Sequence, residues 1–521
     1  VNHIELFAGC GGLSLGLDKS GFELTLANEI SPMAAESFAY NFFNENLEEL
    51  ANSNHIPTQT LWLNSNYSEL KPRLRENPFT FPEFDDVTGT SDLPKNLEEL
   101  KGKLVIGSIV ELNHLLEAKP ELSNLLRTAF GSKRRLDLVS GGPPCQSFSM
   151  AGLRKRDCQK NTLPWEFATF VRHTQPKIAL LENVTGILRA FSDDEGNSFH
   201  AWYEVAKVFA SIGYVPLCLH VNARLSGVPQ NRPRFIMIAV RYDHLFDIIG
   251  TLDSVSQTLF DEPLEFYNKV QIEGDALPLG ALQYRDAMKE RLVFENTFLR
   301  PLVSSQEVSV KDAIDDLKMM DASVPSSFVR DLNARFNQLP VREILSNHEF
   351  RNNGSLVKRR FRIYQILQDI SKRSVTKSVF AILKGEANEL DDSAWNAVGS
   401  YEFLLENDRL HCFTEKHELD KYLREHPTKK QTQKALTADA PAPAALSIPD
   451  DACHYDKKEL RVLTVREMAR IQSFPDNFVF RSKVTTGGQM RKFEVPQYTQ
   501  VGNAVPPLLA VKLGEVLSAL L

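Results

Sequence analysis

Four short segments of this chain combine residue types that do chemistry, and each adjoins an apolar run of strand length. In Phe7-Ala8-Gly9-Cys10-Gly11-Gly12 the missing side chains let a ligand approach the backbone, and Glu29, about 20 positions on, is the acid a ribose diol needs. Ser14 stands where the dinucleotide version has its third glycine, so an ordinary tight turn competes with a nucleoside site. The second segment, Gly141-Gly142-Pro143-Pro144-Cys145-Gln146-Ser147-Phe148-Ser149, offers one thiol on a loop stiffened by two prolines, either a nucleophile or a buried cysteine. A zinc deaminase would need a second cysteine where Phe148 stands. Glu182-Asn183-Val184 ends a strand with a carboxylate, which is either an acid at work or a solvated strand end. In Gln230-Asn231-Arg232-Pro233-Arg234, alternation puts Arg232 and Arg234 on one face, either as paired guanidiniums or as ordinary surface arginines.

The elements that must carry these segments are short apolar runs at Ile4–Phe7, Phe22–Asn28, Leu104–Ile106, Leu136–Ser140, Ile178–Leu181, Val215–Val221 and Phe235–Val240, separated mostly by helical patterns. That rhythm predicts a largely parallel, doubly wound α/β sheet with its chemistry at the strands' C-terminal ends. A polar insert at about 44–103 reads as a peripheral flap. After Tyr242 the rhythm stops, and the tail from His426 to Asp451, with its Ala-Pro repeats, reads as an extended linker. Thr464 and Glu467 form a capping box for a helix from Val465, and Pro506-Pro507 open a last helix.

Composition narrows the classes. A chain of 521 residues, 42% hydrophobic and 24% charged, folds around a core, and its six cysteines lack the spacing of a disulfide framework or a structural zinc site. No apolar run reaches the length of a membrane span, and the first residues read as a strand, so the expected address is cytoplasmic. With net charge -7, nucleic acid would have to be held by a local basic patch. Residues 351–377 supply one: Lys358, Arg359, Arg360 and Arg362 fall among apolar residues at near-helical spacing.

Taken together and in order, Phe-Ala-Gly-x-Gly-Gly, Pro-Pro-Cys-Gln, Glu-Asn-Val, Gln-x-Arg-x-Arg, Arg-Glu-x-Ala-Arg-x-Gln-x-Phe-Pro (Arg466 to Pro475) and Gln-x-Gly-Asn-Ala-Val-Pro-Pro (Gln500 to Pro507) resemble the DNA (cytosine-5)-methyltransferases of the prokaryotic type. The resemblance implies a Rossmann-like methyltransferase sheet with a second, smaller target recognition domain. It divides the chain into a catalytic domain at 1–244, a recognition domain at 245–459 and a return to the catalytic domain at 460–521. It implies S-adenosylmethionine as cofactor, S-adenosylhomocysteine as product and no metal. Phe7, Ala8, Gly9, Gly11, Gly12, Glu29, Ile30, Ser108, Ile109, Pro143, Asn503 and Ala504 would line the cofactor. Ile30 replaces the aromatic residue often found after the acid, and Ser108 replaces the Asp of the usual Gly-Asp-Ile.

The same resemblance makes Cys145 the nucleophile at carbon 6 of cytosine, Glu182 the proton donor at ring nitrogen 3, and Arg234, with Arg232, the clamp on the base carbonyl. DNA methyltransferases flip the target base out of the stack. Gln146, Ser147, Ser149, Arg154 and Arg156 would then lie on a loop closing over the base, with Lys358, Arg359, Arg360 and Arg362 on phosphates. The implied partners are double-stranded DNA and restriction or phage-defence proteins, with no membrane, and the protein would be DNA-associated. An RNA cytosine-5 methyltransferase and a catalytically silent DNA-binding protein are the alternatives.

Overall fold

The structure is a computed structural model that describes residues 1–131, 135–144, 163–192, 198–429, 433–444 and 446–521. Its main feature is a nine-stranded sheet: β1 (Asn2–Leu6), β2 (Glu23–Glu29), β3 (Thr60–Trp62), β4 (Lys103–Ile106), β5 (Leu138–Gly141), β6 (Ile178–Val184), β7 (Tyr214–Asn222), β8 (Pro233–Arg241) and β9 (Arg285–Asp286). The spatial order is β9-β7-β8-β6-β5-β1-β2-β4-β3. Among the described residues every neighbouring pair in this sheet is parallel except the two that β8 makes with β6 and β7. The chain winds outward from β1 in one direction and then returns to β5 on its other side. The crevice between β1 and β5 is therefore the topological switch point, where open α/β sheets bind ligands.

Both faces of the sheet are covered, which explains why its strands read as continuous apolar runs. Ile4, Leu6, Val105, Val139 and Leu181 face the helices Ile109–Ala118 and Leu163–Thr174, the first of which we label α3. On the other face α1 (Gly12–Lys19), α2 (Pro32–Phe42) and the C-terminal helix Pro507–Ser518 pack on Leu138, Leu180, Ala27 and Leu104. No helix among the described residues is long and apolar enough to cross a membrane.

Three segments differ from the sequence expectation. The polar insert is no peripheral flap: its strand β3 extends the sheet beside β4, and Trp62 is fully buried. Its polar residues look superficial but are satisfied internally. Buried Glu45 accepts from the amides of Thr58 and Gln59, and buried Glu76 from Ser65 and Asn66. The tail 426–451 is not a free linker either. Leu436, Ala442 and Leu446 are buried, and Ala442 exchanges backbone hydrogen bonds with Pro229 and Asn231, so this Ala-Pro strap is sewn to the segment before β8. Finally, the stretch expected to open a second domain at 245 stays with the sheet, because Phe260, Phe266, Phe294 and Leu302 join its two cores. Among the described residues, a core without any residue of the sheet forms from Phe361 to Val462, around Tyr364, Val379, Leu383, Phe403 and Leu423.

Glu5 points away from Ile4 and Leu6, under α1, where it is buried and receives a hydrogen bond from the Ser14 hydroxyl. Burial pushes its carboxyl up to about 8. A folded carboxyl so raised keeps its contribution to stability below the unfolded value of 4.5 and loses it as pH rises through about 8. Glu5→Gln should therefore nearly match the wild type in thermal unfolding at pH 4.5 and exceed it at pH 9 by roughly 5 kcal/mol. Parallel curves for the two proteins across that range would refute a neutral, buried Glu5.

Candidate active site

The glycine turn after β1 divides its residues between two tasks. Phe7 and Gly9 have φ of 55° and 56°, so the backbone turns sharply at the sheet's edge. At Gly9 a Cβ would meet nothing within 4 Å, so this residue borders open space. Gly11 and Gly12 answer to packing instead: a Cβ would come within 2.3 Å of the Phe42 ring or of the Val505 carbonyl respectively. Ala8 is buried and its N–H donates to the Asn28 carbonyl.

Glu29, at the end of β2, faces this turn. Its carboxylate accepts from the N–H of Gly9 at 2.7 Å and of Ser31 at 2.8 Å, and burial pushes the carboxyl above its ordinary range. Each oxygen keeps a lone pair for a hydroxyl. Ile30 is half-buried, and Ser31 caps α2. Ser108 lies on the neighbouring strand end, for Glu29 pairs with Ile106 and the Gly107 N–H donates to the Glu29 carbonyl. The Ser108 hydroxyl is the N-cap of α3, accepting from Val110 N–H at 3.2 Å, and Ile109 is buried. Asn28 escaped the sequence reading. Its side-chain amide donates to the carbonyls of Val105 and Gly107, both at 3.0 Å, and so fixes the spacing between the two strand ends. An amide just before a strand-end acid is the signal that could have found it.

Across the switch point, antiparallel pairing brings two further residues together. Ile236 of β8 lies opposite Glu182 of β6, so Arg234, two residues away, projects on the same face. Its Nε stands 2.6 Å from Glu182 Oε1 in a nearly buried ion pair. A Cβ at Gly142 would come within 3.0 Å of Glu182 Oε2, so this glycine leaves the second carboxylate oxygen its room. Asn183 donates to the Pro143 carbonyl at 3.0 Å, tying the start of the Pro-Pro loop to β6. Cys145, Gln146, Ser147, Ser149, Arg154 and Arg156 lie outside the described residues.

Arg232 does not join Arg234. Its guanidinium is buried and donates to the carbonyls of Gly502 at 2.7 Å and Ala504 at 3.1 Å. Burial, and then the charge of Arg234, push it well below its ordinary value. Ala504 is half-buried beside this brace, and Asn503 is exposed. The proline at 233 separates the two arginines at the strand's entry, which strict alternation does not capture.

The expected basic stripe is a structural helix. In α4 (Ser355–Ile370), Phe361, Ile363, Tyr364, Ile366 and Leu367 are buried, and the arginines are internal struts. Arg359, itself buried, donates to His426 Nε2 at 2.8 Å and to Ser355 Oγ at 2.7 Å. Arg360 donates to the Pro427 carbonyl and Arg362 to the Glu402 carbonyl. Of the four, only Arg359 is withdrawn into its own unit, whereas Lys358, Arg360 and Arg362 are half-buried.

Against known proteins, the sequence profile of the family described as C-5 cytosine-specific DNA methylase matches residues 1–60 and 124–519. The chain is 27% identical over 519 residues to the Type II methyltransferase M1.HphI of Haemophilus parahaemolyticus, covering 99% of this chain and 86% of that protein. It is 24% identical over 528 residues to the Type II methyltransferase M.DdeI of Desulfomicrobium norvegicum, covering 99% and 88%. Likewise it is 24% identical over 514 residues to the Type II methyltransferase M.Eco47II of Escherichia coli, covering 98% and 77%.

The two arginines should part company on substitution. Arg232→Ala removes charged donors from two carbonyls and should lower stability by about 3 kcal/mol in urea unfolding. Arg234→Ala leaves the nearly buried Glu182 without its partner and should lower it by about 2 kcal/mol. A larger loss at Arg234 than at Arg232 would reverse these roles.

Proposed function

Because the chain belongs to the C-5 cytosine-specific DNA methylase family, we propose that it methylates carbon 5 of a flipped-out cytosine in a specific duplex DNA sequence, as the modification partner in a restriction-modification or phage-defence system. The Glu182–Arg234 pair, set at the sheet's edge beside the Gly-Gly-Pro-Pro loop, is the observation that carries this reading. The family's description as a DNA methylase supports it over an RNA enzyme. An intact acid and arginine in contact support it over a silent binder.

The cofactor S-adenosylmethionine fits the residues present. Gly9 borders open space, and Glu29 is held by two backbone amides with acceptor capacity left for a ribose diol. When bound, it supplies an electrophilic methyl group. Phe7, Ala8 and Gly9 would hold its methionine end, Glu29 its ribose, and Ile30 and Ile109 its adenine.

In the proposed reaction the Cys145 thiolate forms a bond to carbon 6, which breaks the ring's 5,6 double bond and shifts electron density to carbon 5. Glu182 gives a proton to ring nitrogen 3, so that no anion builds up on the ring. Arg234 holds the carboxyl group in place and clamps the base carbonyl. Carbon 5 takes the methyl group as ring nitrogen 3 returns its proton to Glu182, a base then removes the proton from carbon 5, and the electrons left behind restore the 5,6 double bond and expel the thiolate. We place Arg232 as a positioning residue acting through the backbone at 502–504. The unit from about 355 to 462 is the part we assign to sequence recognition, within the broader 245–459 span that the motifs leave free.

Bisulfite sequencing of DNA from cells expressing the wild type should reveal protected cytosines in one sequence context, and Cys145→Ala should abolish them. Glu182→Gln should slow methyl transfer by ~100-fold or more while leaving cofactor affinity in place. Protection retained by Cys145→Ala, or transfer to tRNA with none to duplex DNA, would overturn the proposal.

A further inference from the structure

Arg234 owes its place to the strand mouth behind it. Its Nη1 donates to the Pro233 carbonyl at 2.9 Å while its Nε faces Glu182, so the guanidinium is aligned by the peptide that opens β8. That mouth has two sides: β7 stops at Asn222, β8 starts at Pro233, and these two residues pair across the sheet. Beyond the pair the Ala223 N–H still donates to the Arg232 carbonyl at 3.0 Å, but Ala223 already opens the short helix Ala223–Ser226, which carries the chain away from the strand. The Asn222 side chain takes over where the ladder stops. It is buried, and its Oδ1 accepts from the N–H of Arg232 at 3.1 Å and from that of Arg224 at 3.3 Å, one donor from each arm of the excursion. Its Nδ2 donates to Asn231 Oδ1 at 2.7 Å, and the Asn231 N–H donates in turn to the Ala442 carbonyl of the strap at 2.8 Å.

Resting on the proposed roles of Arg234 and Glu182, we infer that Asn222 is a positioning residue for methyl transfer, acting through the backbone of Arg232 and Pro233. Three contacts lead from it to the acid: Asn222 Oδ1 holds the Arg232 N–H, the Pro233 carbonyl holds Arg234 Nη1, and Arg234 Nε stands against Glu182 Oε1. No step of the proposed reaction uses the Asn222 amide. Without it the Arg232 N–H loses its acceptor at a buried site, and the entry of β8 is free to shift toward whatever else can receive that donor. A shift of the 232–233 peptide moves the Pro233 carbonyl, and the guanidinium moves with it. Displacing a reacting group by about 1 Å can cost about 100-fold in rate, so a small change at this mouth is large at the acid.

Single-turnover transfer of labelled methyl to duplex DNA, run with the full chain beside calorimetric titration with S-adenosylhomocysteine, tests this. Asn222→Ala should lower the transfer rate on the order of 10- to 100-fold while leaving cofactor affinity unchanged. Asn222→Asp keeps an acceptor for both backbone donors and lets the Asn231 amide turn to donate, so it should recover most of that rate. In an Arg234→Ala background, adding Asn222→Ala should cost less than about twofold more, because the group it positions is gone. Should Asn222→Ala not fold, Asn222→Ser replaces it in each comparison, since its shorter side chain can cap the Arg224 N–H but falls short of Arg232. A wild-type rate in the single variant, or a full further loss in the Arg234→Ala background, would show an amide that only braces the loop; either result overturns the inference and leaves the proposed reaction standing. A folded wild type that transfers no methyl group to any duplex DNA would instead overturn the proposed reaction, and this inference with it.

Discussion

A side chain at Gly16 would meet the Ala510 Cβ at 2.3 Å and the Pro507 carbonyl at 2.5 Å, and one at Gly12 would meet the Val505 carbonyl at 2.3 Å. These two glycines let α1 and the C-terminal helix touch backbone to backbone, so the end of the chain closes against its beginning. Close packing of this kind leaves no room to adjust, since interiors are as dense as organic crystals. Everything between is an excursion anchored by this contact. The final motif is bolted down from other sides as well: Gln500 donates to the carbonyls of Met33, Arg481 and Val495, and Arg232 reaches Gly502 and Ala504. The glycine turn after β1 is thereby held from beneath.

Much of this arrangement can be read from the sequence because a strand buried on both faces announces itself as an unbroken apolar run. Leu104–Ile106 and Ile178–Leu181 are such runs, and both are strands of the sheet. Glu29 and Glu182 can be read for the same reason, as carboxylates that follow the runs Phe22–Asn28 and Ile178–Leu181. Arg232 and Arg234 look equivalent in sequence, since alternation says where side chains project and nothing about what receives them. The carbonyls that take Arg232 lie 270 and 272 residues away.

The remainder is illegible for a related reason. Charge and polarity predict exposure only when a residue has no internal partner. In α4 the arginines fall where a basic stripe would be, yet the carbonyls of Pro427 and Glu402 and the ring of His426 come from later segments to receive them. In the insert, Asn64 and Glu76 have loop composition but bind backbone groups within the same excursion. A three-residue strand such as β3 is too short for its period to stand out.

The Ala-Pro strap has a bearing on how such proteins exchange parts. It lies within the stretch that builds the core around Tyr364, yet from Ala438 to Ala442 its backbone hydrogen bonds run to Pro229, Asn231, Val310 and Lys311, all on the sheet side. A Cβ at Gly502 would collide with the Leu446 carbonyl at 2.6 Å, so the strap is also wedged against the last motif. In modular terms the unit with its own core is shorter than the stretch of sequence between the flanking motifs. A recombination joint placed after the strap would carry away a piece of the scaffold with that unit, whereas one placed before Leu436 would leave the host sheet laced shut.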